Sequence, residues 1–166
     1  MATVPGPGPT ALAPTPRRAH TQIMDTRSNP VLDHQGLEVL DADTCWTLVN
    51  STAVGRIAFV DAGEPVVFPV THRVDGRTVV FRTSYGSKLL AASMGRPIAF
   101  EVDAWDTADR HGWSVLMRGS AEEVLEAEEL DDLAHLGLEP WADAVPRTHW
   151  VRIRADEITG RRIPAA

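Results

Sequence analysis

The stretch Val66–Leu89, VVFPVTHRVDGRTVVFRTSYGSKL, decides the fold. Two runs rich in β-branched and aromatic residues, Val66–Val70 and Val79–Phe81, flank Asp75-Gly76, a dipeptide that supplies the left-handed backbone of a hairpin turn. The pattern predicts strand, tight turn, strand. Directly afterwards come Arg82, Thr83, Ser84, Gly86, Ser87 and Lys88, where a helix opens. Cations, hydroxyls and a glycine at a strand-to-helix junction suit an anion, a phosphate above all, because free N–H groups, O–H donors and positive charge all favour it. The same residue types serve ordinary turns and helix caps, so composition leaves both readings open.

On the N-terminal side, Val54–Val60 (VGRIAFV) reads as a strand, closed by Asp61-Ala-Gly-Glu64 as a hairpin turn. Before it, Ala42–Ser51 places Cys45, Trp46, Leu48 and Val49 on one helical face, with Asp41 or Asp43 as the cap and Leu37–Leu40 as a lead-in. Gly86–Met94 is a short helix ended by Gly95-Arg96-Pro97, and Ile98–Val102 alternates as a strand. Asp103–Gly112 (DAWDTADRHG) reads as a polar loop, and Trp113–Ala121 as a strand. Leu125–Leu136 is an amphipathic helix with its acids on the solvent side, stopped by Gly137. His149–Ala155 sets Trp150, Arg152 and Arg154 on one face against Val151 and Ile153 on the other, and Ile158–Ile163 makes a last strand. Six or seven strands joined mostly by short turns, with two or three helices, favour a small antiparallel β-barrel over a doubly wound sheet.

The 166 residues suit one domain, and 43% hydrophobic with 23% charged residues is ordinary for a globular chain. Residues 1–35, Pro/Ala-rich and aperiodic at their start, are expected to be a disordered tail, with the domain proper at 36–166. Arg17-Arg18 is followed by no apolar segment, which argues against an export signal and for a cytoplasmic protein. A net charge of −7 argues against nucleic-acid or anionic-membrane binding, and no apolar run is long enough to span a bilayer. A single cysteine, Cys45, excludes an internal disulfide, and no metal-ligand spacing occurs.

In order and spacing, the VGRIAFVD strand, the PVVFPVTHRVDGRTVVFRT hairpin, the GSKL helix, the PIAFEVD strand and GWSVLMRGSAEEV resemble the pyridoxamine 5′-phosphate oxidase-like flavoproteins. The resemblance is closest to the actinobacterial flavin-binding and nitroimidazole-resistance-like branch, and covers Leu37 to Ile163. It implies a mainly β fold with peripheral helices, a six- to seven-stranded antiparallel split barrel that binds FMN at the interface of a homodimer. By that resemblance, Val67, Phe68, Pro69, Val70, Thr71 and His72 run along the isoalloxazine ring. Arg82, Thr83, Ser84, Ser87 and Lys88 hold the phosphate and ribityl chain, and Trp113 and Ser114 close over the flavin of the partner subunit. His72 is the weak candidate for a catalytic role, and His111, in the loop before Trp113, is a further residue placed to face substrate. Trp105, Trp141 and Trp150 are expected to be packing or rim residues. The C-terminal segment HWVRIRADEITGRRIPAA matches poorly the substrate segment of the oxidases that act on B6 phosphates. An FMN-dependent oxidoreductase of a small molecule (flavin reductase or nitroreductase-like) is therefore expected. The alternatives are a non-catalytic flavin-binding or redox-sensing protein, and a reductase that uses the deazaflavin F420.

Overall fold

The computed structural model describes residues 30–141 and 145–164. Its elements run β1 (Glu38–Leu40), α1 (Ala42–Ser51), β2 (Val54–Asp61), β3 (Glu64–Asp75), β4 (Thr78–Thr83), α2 (Ser87–Ser93), β5 (Pro97–Asp106), β6 (His111–Val124), α3 (Ala127–Ala134) and β7 (His149–Arg162). The sheet is antiparallel, in the order β1-β7-β4-β3-β2-β5-β6, and β6 pairs back onto β7 to close a ring. This is a split β-barrel.

Alternation along the strands builds the interior. Ile57, Val79, Phe81, Phe100, Val102, Val115, Met117, Val151 and Ile153 point inward and are buried. Filling the ring with such side chains stabilises it by roughly 1.5–3 kcal/mol for each large residue. Gly55 shows how tight the packing is: a Cβ there would lie 2.1 Å from the Phe100 ring. α1 is capped by the Asp41 carboxylate, which accepts from the Thr44 N–H, and it plugs the barrel with Cys45 and Val49. α3 covers a smaller cluster of Val80, Val124, Leu133, Leu138 and Trp150 on the outer face of β4, β6 and β7.

Several sequence expectations change. Residues 103–112 are not a loop: β5 runs to Asp106, β6 begins at His111, and a tight turn joins them. Asp106 Oδ1 accepts from the N–H groups of Ala108 and Asp109, and Arg110 has φ 51°. Ala104, Trp105 and Asp106 are exposed, so this part of the hairpin lacks the apolar alternation that marks a strand. His149–Ala155 and Ile158–Ile163 are one strand, interrupted by a bulge where Arg118 faces Glu157 and Gly119 faces Ala155. Leu37–Leu40 contributes β1 rather than a simple lead-in.

The N-terminal boundary also moves. Residues 1–29 lie outside the described residues, but the segment before residue 36 packs on the barrel. Leu32 bridges Glu38, Asp33 Oδ1 accepts from the N–H groups of Gln35 and Leu37, and Arg161 Nε donates to Asp33 Oδ2 at 2.8 Å. Arg162 lies 3.7 Å from Glu38 on the same edge. The paired arginines near the C-terminus thus hold the start of the domain.

Candidate functional site

The β3–β4 ladder runs from Asp75↔Thr78 to His72↔Phe81 and stops there. Beyond it the strands part, with Pro69, Val70 and Thr71 on one lip and Arg82 on the other. Pro69 falls on the length of β3 that has no β4 partner, where a missing N–H costs nothing. A groove of about 220 Å³ opens in this split, lined by Val54, Pro69, Val70, Thr71, Arg82, Lys88, Pro140, Trp141 and Arg147.

The groove is cationic although the chain is acidic. The Arg82 guanidinium carbon stands 5.5 Å from the centre of the Trp150 ring, and its buried Nε has no hydrogen-bond partner among the described residues. A buried donor left unpaired costs on the order of 1–3 kcal/mol, so an arginine that lines a groove with such an atom suits an acceptor from outside the chain. Lys88 Nζ sits 4.4 Å from the centre of the Phe68 ring. Burial first, and the nearby Arg147 charge second, hold the Lys88 ammonium below the usual lysine range. An anion between Arg82, Lys88 and Arg147 would favour the charged ammonium and so offset both effects.

The expected site residues separate into groups. Pro69, Val70, Thr71, Arg82 and Lys88 come together in the groove. Phe68 underlies Lys88 and packs on Phe59 with ring centres 6.0 Å apart, whereas Val67 is 59% exposed on the outer face. Thr83 is buried, with Oγ1 donating to the Ser84 carbonyl, so its hydroxyl serves the backbone and not the groove. Ser84 does not line the groove, and the side chain of Ser87 lies outside the described residues. Trp113 and Ser114 lie on β6, opposite Ala104 and Asp103, away from the groove of their own chain.

His72 is neither exposed nor in the groove. Its ring is buried inside the barrel, edge-on to Phe100 at 5.1 Å, with Nε2 3.1 Å from the Val49 carbonyl. Because strand side chains alternate, Thr71 faces the groove and His72 the core. A histidine sealed in this way ties α1 to β3 and cannot reach a ligand in the split. Trp150 packs under α3, as expected, but Trp141 lines the groove.

Arg147, Trp141, Pro140 and Val54 were not legible as site residues. The first three belong to the segment between α3 and β7, which has no motif and reaches the groove only through the tertiary fold. Among the described residues, the lining holds no carboxylate, imidazole or thiol. Its chemistry is therefore anion binding plus an apolar surface.

This combination defines a split-barrel protein with a cationic cleft. The chain belongs to the pyridoxamine 5′-phosphate oxidase family, whose model matches residues 41–162. An uncharacterized protein of Mycobacterium tuberculosis is 36% identical over 145 residues, covering 84% of this chain and 93% of that protein. Among solved structures, the FAD binding protein from Mycobacterium smegmatis is 39% identical with a TM-score of 0.61, covering 75% of this chain and 95% of that one. A conserved protein of unknown function from Corynebacterium diphtheriae is 32% identical with a TM-score of 0.63, covering 75% and 96%.

Proposed function

We propose that this chain binds a flavin nucleotide in the β3–β4 split and acts as an oxidoreductase on a small molecule. The observation that carries the reading is the gathering of Arg82, Lys88 and Arg147 around one groove, with the Arg82 Nε buried and without a partner among the described residues. The similarity to a FAD binding protein supports a flavin as the group that supplies the anion. Arg82, Lys88 and Arg147 would hold the phosphate, and Thr71 would offer a hydroxyl to the ribityl chain. Pro69 and Val70 would form the apolar wall against the ring. A bound flavin supplies hydride and single-electron transfer, so the protein's part is to bind, orient and exclude water.

The reading includes a homodimer. Val67, Ala58 and Ala99 are cross-strand neighbours on the outer face of β3, β2 and β5, with exposed Val60 beside them on β2. An apolar stripe on an outer barrel face is suited to a second copy. In that arrangement Trp113 and Ser114 of the partner chain would complete the flavin site.

One feature of the lining favours a second reading, a flavin binder without turnover: among the described residues the groove is lined by no carboxylate, imidazole or thiol. The test is an absorption spectrum of the purified protein, titration with FMN, FAD and F420, and then NAD(P)H oxidation with an added acceptor. Saturable flavin uptake with turnover is expected. Uptake without turnover selects the binder, selective F420 uptake moves the chemistry to the deazaflavin, and no uptake of any of them removes the functional claim. Sedimentation with and without flavin tests the dimer.

A further inference from the structure

Arg147 reaches the groove from a segment, residues 145–148, that belongs to no helix or strand. The ladders that hold the chain end just before it. β7 pairs with β4 as far as Thr83↔His149, and with β6 only as far as Val124↔Trp150. Arg147 lies two residues beyond His149, at most about 7 Å of extended chain. It stands near enough to Lys88 for its charge to hold that ammonium down. Like charges repel, so an arm that carries Arg147 to this place needs an anchor at its root.

One side-chain pair sits at that root. His149 Nδ1 and Glu123 Oε1 are 2.8 Å apart, with the side chains only 35% and 18% exposed. An ionised carboxylate only accepts, so the imidazole donates from Nδ1. The pair ties the first residue of β7 to β6 where the backbone ladder between those strands has already stopped. Two other ion pairs across β6 and β7, Arg154–Glu122 and Arg118–Glu157, differ in both respects. They are about half exposed and lie within the ladder, where such pairs add little.

We propose that the Glu123–His149 pair positions Arg147 and so sets how tightly the groove holds an anion. Neither residue lines the groove; both act through Arg147. The inference rests on the reading of that groove as an anion site and adds the device that keeps its third cation in place.

The test is a thermodynamic cycle on the full chain, read by titration with FMN and, as a flavin-free probe, with inorganic phosphate. His149→Ala and Arg147→Ala should each weaken binding about tenfold, the scale of a charge-assisted hydrogen bond. In the Arg147→Ala background, His149→Ala should cost nothing more, because its effect passes through the missing arginine. His149→Asn, whose amide nitrogen can stand where Nδ1 stands, should recover most of the affinity. His149→Gln, whose amide stands where Nε2 stands, should not. Single losses that add in the double variant overturn the proposal, as does an equal affinity of the Asn and Gln variants, which are both polar and close to histidine in size. Phosphate binding without FMN binding removes the flavin reading and leaves the same cycle to judge the pair. Failure of both probes to bind the parent protein removes the anion site and the pair's role together.

Discussion

Arg82 and Arg152 stand on the same outer face of the β4–β7 pair, one opposite Trp150 and the other opposite Val80. Their surroundings differ completely. Arg152 is 9% exposed, and its two terminal nitrogens lie 2.5 Å from Glu129 and 3.1 Å from Asp75. Those acids come from α3 and from the β3–β4 turn, so this arginine clamps the helix to the barrel. Arg82 has an aromatic ring on one side, cations nearby, and a buried Nε with no partner among the described residues. Where the chain supplies the counter-charge, an arginine is a structural tie. Where the chain supplies more positive charge, an arginine keeps a donor that the described residues do not use, and the proposed role of Arg82 rests on that.

The first way to break this comparison is Arg152→Ala. It leaves Glu129 and Asp75 unpaired beside the α3 cluster and should cost about 3 kcal/mol, at the low end for a buried pair because both acids are nearly half exposed. Urea denaturation measures it, and flavin affinity should not change. A variant as stable as the parent that binds flavin poorly would invert the assignment.

Arg82→Ala should do the opposite. Flavin affinity should fall by about 2 kcal/mol, the worth of a charge-assisted hydrogen bond, with stability held or slightly raised by removal of the unpaired donor. Isothermal titration and a thermal melt on the same sample separate the two effects. Loss of stability at unchanged affinity would show that Arg82 is another structural tie.

His72 extends the comparison to a polar group sealed in the core, with Nδ1 also lacking a partner. Burial chiefly, and the Arg73 charge to a lesser degree, push its imidazolium below the ordinary histidine value, against the hydrogen bond to Val49. As pH falls below about 6.5, the unfolded chain therefore takes up a proton that the folded chain refuses. Stability should drop through that window and level off once the pH passes below the folded-state value. The slope contributed by this one group is at most about 1.4 kcal/mol per pH unit. Denaturation midpoints across the window check it, and His72→Gln should flatten the profile.

The smallest effect concerns Lys88. Its ammonium is held below the usual lysine range before an anion binds, so flavin affinity should decline with rising pH earlier than an ordinary lysine would dictate. A several-fold weakening on the alkaline side is expected from binding titrations, and Lys88→Arg should abolish it. An unchanged decline in that variant would assign the titration to another group.

Much of this was legible in the chain. The Asp75-Gly76 hairpin, the α1 face carrying Cys45 and Val49, and the strand before Asp61-Ala-Gly-Glu64 are all local patterns and appear as read. Pro69, Thr71, Arg82 and Lys88 drew notice because their types are unusual for their local positions, and they do share one groove. The 103–112 segment was misread because its strand ends are wet on both faces, which erases the period of two. The structure puts His72 in the core and not in the groove, a choice the pattern leaves open because alternation divides β3 into two faces without saying which one is inside.

The sequence pattern alone determines the central strands, their turns and the cationic end of the central hairpin, since each depends on residues within a few positions of one another. Closure of β6 onto β7, the sealing of His72, and the arrival of Arg147 and Trp141 beside Arg82 come from the tertiary structure. Those contacts join residues far apart in the chain. They form because a ring with one filled interior buries far more apolar surface than any open arrangement of the same strands.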